Sequence, residues 1–477
     1  MRVFFSCLLF LLGILSIALP SYADEASITS QPEGALCIVR ADEKIVLIHE
    51  SLTDKMSLPG GTISADETPE VTAQRETWEE TGLVVKVKQL LGQTEQAYFY
   101  ECASESDVIA YELNNILDGH EIPVWFAPHY GVEVSSAMLI EPSSLDSGLY
   151  RYPKQWDTVK ALFNQAEGQN VTYVGNLIAA APVINQVELN WILGFQHAIK
   201  SLPNGMGWLW DSAVLMLNQL TNPLLFLLIF PLLYWQFGLH FAYRVFYLVA
   251  ITSLLCFVAR QTFALPRPHV YIPAIELSHS DGFSMPSLAL ALWCSVGILV
   301  LNAFERFSLN RYFGAFIFLL IAIMTAKFYS GAAFIVDMLV GSIFGILTAW
   351  HIIRLEDKPG FDLEKLICSR TSWALLAAVA AVLALIFQMP SFTVLLATLL
   401  TACGIIWTGK ESGDFISFRE MVFMVLLLVL VNEIISFSAT LVSSSSLLSL
   451  VAEILRFPLL LLVFNISALR SHKSEPL

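Results

Sequence analysis

From about residue 222 to residue 469 the chain is a succession of apolar runs. Candidates of membrane-spanning length start near 222, 241, 286, 311, 333, 373, 391, 420 and 446. A helix needs about 20 apolar residues to cross a hydrocarbon core about 30 Å thick. Inside that core every backbone N–H and C=O must be satisfied within the protein, which a helix does by itself. This half is therefore expected to fold as an all-α polytopic helix bundle of eight to ten spans, since several runs are short or abut. Only 14% of the chain is charged and 56% is hydrophobic, against roughly 25% charged in soluble domains.

The N-terminus bears on which way the bundle faces. Arg2, the apolar stretch Phe4–Leu19, Pro20 and the small-residue pattern Ser21-Tyr22-Ala23 read as a secretory signal over residues 1–23. An uncleaved anchor would leave residue 24 onward on the same side. Basic residues in the loops set orientation independently. One set of loops holds Arg306, Arg311, Arg354, Lys358, Lys365, Arg370, Lys410 and Arg419, and the tail adds Arg470 and Lys473; the opposite loops near 389–391 and 441–446 hold none. Both signals place the part after residue 24 outside the cytoplasm. The expected location is a bacterial inner membrane with that part on the periplasmic side.

Residues 24–145 carry most of the acidic excess behind a net charge of −15. That balance excludes a nucleic acid polymer as partner, because phosphate contacts need basic patches. The alternating segments Ala35–Val39 and Ile45–Ile48 read as strands. A mixed stretch follows over about 146–221; its amphipathic segment Glu188–Ile199 and the Trp208-Leu209-Trp210 cluster suit a membrane interface. Of seven cysteines, Cys37 and Cys102 lie in the soluble part and can pair in an oxidising compartment, though spacing alone does not decide it. Cys256, Cys294, Cys368 and Cys403 lie in or beside apolar segments and read as small buried residues. Glu433, Glu453 and Arg456 fall within the last two spans, where a Glu–Arg pair between helices is expected.

The soluble part contains Gly60-Gly-Thr-Ile-Ser-Ala-Asp-Glu-Thr-Pro-Glu-Val-Thr-Ala-Gln-Arg-Glu-Thr-Trp-Glu-Glu-Thr-Gly-Leu83. Thr68 suits a helix N-cap, Pro69 the first helical position and Gly82 the left-handed terminus. Between them Glu76, Glu79 and Glu80 stand at i, i+3 and i+4 on one face. Like charges so close destabilise a bare helix, and a divalent cation is the simplest compensation. Carboxylate oxygens suit magnesium or manganese.

This stretch resembles the Nudix box in Gly61, Glu67, Arg75, Glu76, Glu79, Glu80, Gly82 and Leu83, with Leu58-Pro59-Gly60 before it also family-like. Thr77 departs from the usual aliphatic residue. The resemblance implies an α/β/α sandwich with a mixed sheet, its core over about 32–145, cleaving a nucleoside diphosphate linked to another group. Carried over, Glu76, Glu79 and Glu80 would be metal ligands with the Gly61 carbonyl, Arg75 would orient a carboxylate, and Glu67 would brace the loop. Glu133 or Glu121 would supply a further acidic residue. Mg2+ or Mn2+ would be the cofactor.

Further on, Arg260, Arg267, Pro268, Pro286, Ser287, Gly331, Asp337 and Gly341 resemble the three motifs of the type 2 phosphatidic acid phosphatase superfamily, over about 188–352. Lys327 stands where arginine is usual and Leu288 where glycine is. The family's nucleophilic histidine falls at Ala333 and its acid histidine at Ala289. Alanine has neither lone pair nor proton, so the covalent route is lost. Arg260, Arg267, Ser287, Lys327 and Asp337 would remain as a degenerate phosphate-binding set. His269 and His279 match no motif position and read as loop histidines.

The sequence thus predicts a multidomain protein: signal peptide 1–23, Nudix hydrolase domain 24–170, phosphatase-like membrane domain 171–352, and further transmembrane helices of unknown family over 353–477. The expected activity is hydrolysis of a diphosphate linkage, in a small molecule such as a nucleoside diphosphate derivative or in a lipid-linked diphosphate. Membrane lipids are expected partners. The alternatives are an active lipid phosphate or undecaprenyl diphosphate phosphatase, and a non-enzymatic lipid-binding or transport protein.

Overall fold

The structure, a computed structural model, describes residues 31–114, 119–203, 205–305, 310–408 and 415–471. The segment 1–23 and Arg306, Lys410 and Lys473 lie outside the described residues.

The N-terminal part is a sandwich of sheets between helices. Strands β1 (Gly34–Ile38), β5 (Gly60–Thr62), β6 (Val85–Gln93) and β7 (Ala97–Ser104) form a mixed sheet in the order β5-β1-β7-β6. β1 runs parallel to β7 and antiparallel to β5. A second, antiparallel sheet has β2 (Arg40–Ala41), β3 (Lys44–Glu50), β10 (Val134–Ile140) and β9 (Gly119–Ile122) in that order, with β4 (Met56–Ser57) on β3. β8 (Val108–Tyr111) pairs in parallel with β11 (Val171–Val174).

Side chains alternate across a strand with period two, and here each face meets a different helix. Cys37, Val46, Ile48, Ala137 and Leu139 pack with Ala73 of helix α1 (Pro69–Thr81). Their neighbours Ile38, Ile45, Leu47, Met138 and Ile140 pack with Trp156, Val159 and Phe163 at the other side, from helix α2 (Trp156–Phe163). The expected strands and the α/β/α layering are both present. Cys37 and Cys102, on neighbouring β1 and β7, are disulfide-bonded with Cα atoms 5.5 Å apart.

The remainder is helical. Helix α3 (Val183–Lys200) and α4 (Met206–Gln219) precede α5 (Pro223–Phe237), α6 (Leu239–Phe263), α7 (Leu288–Ala303), α8 (Arg311–Tyr329), α9 (Ile335–Glu356), α10 (Arg370–Phe387), α11 (Pro390–Thr408), α12 (Phe418–Leu441) and α13 (Ser446–Ser471). Seven of these are long and apolar enough to cross a membrane, and the bent pair α4–α5 makes an eighth if counted as one span. α7 is apolar but shorter. Exposed side chains such as Phe318, Leu385 and Phe437 cover the outside of the bundle, as lipid-facing surfaces require. This is a membrane protein.

α3 is amphipathic as expected. Glu188 and Gln196 are buried against the bundle, where Gln196 Nε2 donates to the Ile275 and Tyr329 carbonyls, while Val183, Ile184 and Trp191 are exposed. Trp208 and Leu209 are also exposed. Cys256, Cys294 and Cys403 are buried, but Cys368 is exposed because it ends a short helical turn between α9 and α10. The Glu453–Arg456 pair lies within α13 at 3.1 Å rather than between helices. Arg456 then reaches Asn432 and Ser436 of α12, and Asn432 Nδ2 in turn donates to Glu433 Oε1 at 3.4 Å.

The two halves touch through specific contacts. Tyr111 Oη donates to the Val270 carbonyl at 2.6 Å, Trp125 packs on Tyr271, and Tyr130 packs on Phe283. Gly131 meets Gly282 so closely that a Cβ on Gly131 would lie 2.8 Å from Gly282 Cα. The loop between α6 and α7 is therefore the floor on which the sandwich sits.

The Cys37–Cys102 bond closes a loop with a sequence separation of 65. Chain-entropy arguments make such a link worth roughly 4 kcal/mol. Non-reducing peptide mapping of the purified protein is expected to find the two cysteines joined. Cys102→Ser is expected to lower the denaturant midpoint of the sandwich, followed by tryptophan fluorescence.

Candidate functional site

Helix α1 begins and ends where the sequence predicts. Thr68 is the N-cap in extended conformation, although its side chain makes no cap bond, and Gly82 closes the helix at φ 71°. Thr77 is fully buried and donates to the Ala73 carbonyl at 2.7 Å. Its hydroxyl is thus satisfied where an aliphatic residue would pack.

The acidic face of α1 is organised by one guanidinium. Arg75 Nε donates to Glu67 Oε1 at 2.9 Å, Nη1 to Glu79 Oε2 at 2.7 Å, and Nη2 lies 2.9 Å from Glu76 Oε1. Nη2 also reaches Glu67 Oε2 at 3.1 Å, and Thr72 Oγ1 donates to the same oxygen. Hydrogen bonding to Arg75 holds the Glu67 carboxyl below its usual range. The sequence assigned Arg75 one carboxylate to orient; it meets three.

Glu80 points inward. It is buried, and its Oε2 accepts from the Gly60 N–H at 2.8 Å. Burial pushes its pKa well up, and burial also raises that of Glu76. Gly61, paired with Ala35 across the sheet, lies against Glu76: a Cβ there would sit 2.5 Å from Glu76 Oε1. Glycine at this position leaves the carboxylate its space.

A residue that the sequence reading missed completes the cluster. The chain returns at His129, whose N–H donates to the Glu79 carbonyl at 2.8 Å. Donor atoms of Glu76, Glu79 and His129 all lie within 4.8 Å of one another. His129 Nδ1 is 3.5 Å from Glu133 Oε2. Of the two further acids considered, Glu133 is therefore the one beside the cluster. Glu121 faces the other way, towards Glu276 and His279 of the α6–α7 loop, and burial pushes its carboxyl up to about 7.

The donor set fits a divalent cation on its own terms. Two carboxylates and an imidazole converge, Glu76 is charged at a cost in its buried setting, and the Gly61 backbone stands next to it. The arrangement can bind a hard cation and, through it, phosphate oxygens.

The second set lies at the end of the bundle nearest the sandwich. Arg260 Nε donates to the Pro286 carbonyl at 3.0 Å, and Arg267 donates to the Asp281 and Ala332 carbonyls at 2.8 and 2.6 Å. These bonds fix both guanidiniums while leaving other N–H groups free to meet an anion. No acceptor pairs with the Lys327 side chain among the described residues, and its charge is felt with those of Arg260 and Arg267. Asp337 Oδ2 accepts from the Phe334 N–H at 3.0 Å, and the Ser287 N–H donates to the Asp337 carbonyl. Asp337 thus braces the backbone around Ala333. Gly341 and Gly345 bring α9 onto the backbone of α7: a Cβ on either would lie 2.3 or 2.2 Å from the carbonyl oxygens of Ser287 and Ala291.

Ala333 is buried in an apolar cluster with Tyr271, Ile275 and Phe334, and Ala289 packs against the same cluster. His269 is buried, with Nδ1 3.2 Å from the Gly331 carbonyl and Nε2 4.0 Å from Glu276 Oε1. Burial lowers its pKa, which favours the neutral ring. His279 lies between Asp281 and Glu276, which push it up to about 10 and keep it charged. Both loop histidines are engaged in local polar contacts.

Family comparison agrees with both sets of motifs. Residues 31–162 match the NUDIX domain and residues 241–360 match the PAP2 superfamily. The chain joins a NUDIX domain to a PAP2 superfamily domain. A MutT-like protein of Streptomyces ambofaciens is 44% identical over 55 residues, 12% of this chain; the chain spans 36% of that relative's length. Among solved structures, an ADP-ribose pyrophosphatase from Streptococcus suis is 14% identical with a TM-score of 0.21, covering 30% of this chain and 97% of that one. A NUDIX hydrolase from Nitrosomonas europaea is 17% identical with a TM-score of 0.21, covering 32% and 85%.

Gly61→Ala gives a sharp test of the NUDIX cradle. The added methyl meets the Glu76 carboxylate, which must shift. Divalent-metal-dependent hydrolysis is expected to fall by about 10²-fold, the order of loss that a 1 Å misplacement causes. The thermal melt of the variant should stay close to that of the unchanged protein.

Proposed function

We propose that the protein is a membrane-tethered NUDIX hydrolase that cleaves a diphosphate linkage outside the cytoplasm. The substrate is a nucleoside diphosphate derivative or a lipid-linked diphosphate. The observation that carries this reading is the convergence of Glu76, Glu79 and His129 under the brace of Arg75. Glu76, Glu79 and His129, with Glu80 and the Gly61 carbonyl beside them, would hold Mg2+ or Mn2+. Such an ion supplies charge neutralisation at phosphate oxygens and lowers the pKa of bound water. Arg75 keeps Glu79 and Glu76 in place, Glu67 keeps Arg75 in place, and Glu133 stands beside His129.

The PAP2 half, in this reading, binds phosphate without transferring it. Ala289 and Ala333 offer no nucleophile and no acid, and His269 Nδ1 is held by the Gly331 carbonyl. Arg260, Arg267 and Lys327 would hold an anionic head group, with Ser287 and Asp337 fixing the backbone around it.

The division proposed is 24–170 for the hydrolase, 171–352 for the phosphatase-like bundle and 353–477 for the added helices. The orientation proposed is periplasmic for the sandwich, in a bacterial inner membrane. The apolar N-terminus, the basic loops at the far end of the bundle and a disulfide in the sandwich all favour it, since such bonds persist in oxidising compartments.

Full-length protein in detergent, given soluble and lipid diphosphates with Mg2+ or Mn2+, is expected to release product and to stop on chelation. Glu79→Gln should lower the rate at least ~10²-fold, the order lost with one key electrostatic contact. An unchanged rate would make the acidic helix structural. The same variant given phosphatidic acid should release no phosphate above a detergent blank. Release that disappears with Arg267→Ala would instead favour an active phosphatase. An alkaline phosphatase reporter after residue 170 should be active and one after residue 358 silent; the reverse would overturn the orientation.

A further inference from the structure

A cavity of about 410 Å3 lies inside the bundle. One wall is α6 and α7, within the PAP2 match; the other is α11 and α13, beyond it. Its volume is that of a ligand pocket, which typically runs ~300–1,000 Å3. Arg260, Arg267 and Lys327 do not line it. Most of the lining is aliphatic or aromatic, with Ser391 in the first turn of α11 and Tyr243 near the start of α6. Between those two, three polar side chains enter from three helices: Ser253 of α6, Thr398 of α11 and Glu453 of α13.

These three lie at one level. The sandwich marks the near end of each helix: α6 leads into the loop that carries Phe283, Val132 packs in the cluster that holds Met389 and Phe392 at the start of α11, and Arg151 donates to Ser446 Oγ at the start of α13. Counted from those ends, Ser253 is ten residues in, Thr398 eight and Glu453 seven. At ~1.5 Å per residue that is about 10–15 Å, inside a core about 30 Å thick.

Two of the three have hydrogen-bonding capacity to spare. Thr398 Oγ1 donates to the Val394 carbonyl within its own helix at 2.7 Å. Ser253 Oγ has no hydrogen-bond partner among the described residues. Arg456 Nε meets Glu453 through Oε2 at 3.1 Å, which leaves Oε1 free. Arg456 also balances the Glu453 charge, while Glu433 joins Arg456 only through Asn432 and does not line the cavity. Polar groups left unpaired in an apolar setting cost free energy, and no water from the bilayer core relieves them.

We infer that the cavity binds an uncharged, membrane-soluble alcohol, whose hydroxyl donates to Glu453 at the level where Ser253 offers a second partner and whose apolar body fills the space between Phe257 and Phe464. A hydroxyl both donates and accepts, which matches a carboxylate and a serine. A lipid anion would face the Glu453 carboxylate. A lipid cation would put a second positive charge beside Arg456. A pure hydrocarbon would leave both groups unpaired. The inference stands apart from both phosphate sites and from the hydrolase reading.

The test uses full-length protein in nanodiscs with hexadecanol that carries a diazirine in its chain. After irradiation, peptide mass spectrometry is expected to find label on the cavity residues of α6, α11 and α13. Unlabelled hexadecanol should compete. Hexadecane, hexadecyl sulfate and hexadecyltrimethylammonium should each compete at least about tenfold less well, a difference of about 1.4 kcal/mol. Glu453→Gln leaves Arg456 without its counter-charge, so hexadecyl sulfate should compete about tenfold better there than on the unchanged protein. Ser253→Phe, which fills the cavity, should lose the label. If either variant does not fold, the competition series on the unchanged protein still decides. Label confined to lipid-facing residues such as Phe318 and Phe437, or indifferent to unlabelled hexadecanol, would overturn the inference. Equal competition by hexadecane or by either ion would overturn the assignment to an uncharged alcohol.

Discussion

Four carboxylates crowd into the turn between β5 and the end of α1, and the Arg75 guanidinium is the common counterion of three of them. Glu67, Glu76 and Glu79 each lie within 3 Å of one of its nitrogens. Without that cation the face of α1 would carry like charges at i, i+3 and i+4, each pair unfavourable. Arg75 is suited to this because its planar fork meets several oxygens at once. Only Glu80 escapes it, by turning inward to the Gly60 N–H. The result is a set of acidic groups held apart from one another, with one open side where His129 enters.

His129 also ties the two halves together. Residues 129–131 touch the acidic cluster with the first, Phe283 with the second and Gly282 with the third. The paired glycines let the two backbones approach without side chains between them. The NUDIX cluster and the three cations of the PAP2 bundle are therefore neighbours across one short loop, so both candidate phosphate sites open in the same region of the molecule.

The PAP2 half keeps the scaffold of its motifs with alanine at positions 289 and 333. Gly341, Gly345 and the positive-φ Gly331 serve close packing, and Asp337 serves the backbone at Phe334. These roles do not depend on a histidine at position 333. Ala333 is packed among apolar side chains. The bonds of Arg260 and Arg267 to the Pro286, Asp281 and Ala332 carbonyls hold the loop on which the sandwich rests.

Much of this was readable from sequence. The helix bundle followed from the apolar runs, α1 from Thr68, Pro69 and Gly82, and the strands from their alternation, because each signal is local and periodic. The acidic face followed from helical spacing alone. What needed the tertiary structure was whatever depends on a distant segment returning. His129 stands 50 residues beyond Glu79 and has no spacing rule to announce it. Glu133 and Glu121 were equivalent in sequence, yet β9 turns Glu121 towards the bundle while the 129–133 loop sets Glu133 beside the cluster. The Cys37–Cys102 pairing waited on β1 lying beside β7. The Glu453–Arg456 pair formed within one helix because the i, i+3 spacing already sufficed, and Glu433 joins it only through Asn432. Local periodicity fixes which residues share a face; only the folded chain decides which faces meet, since that depends on contacts closed across tens of residues.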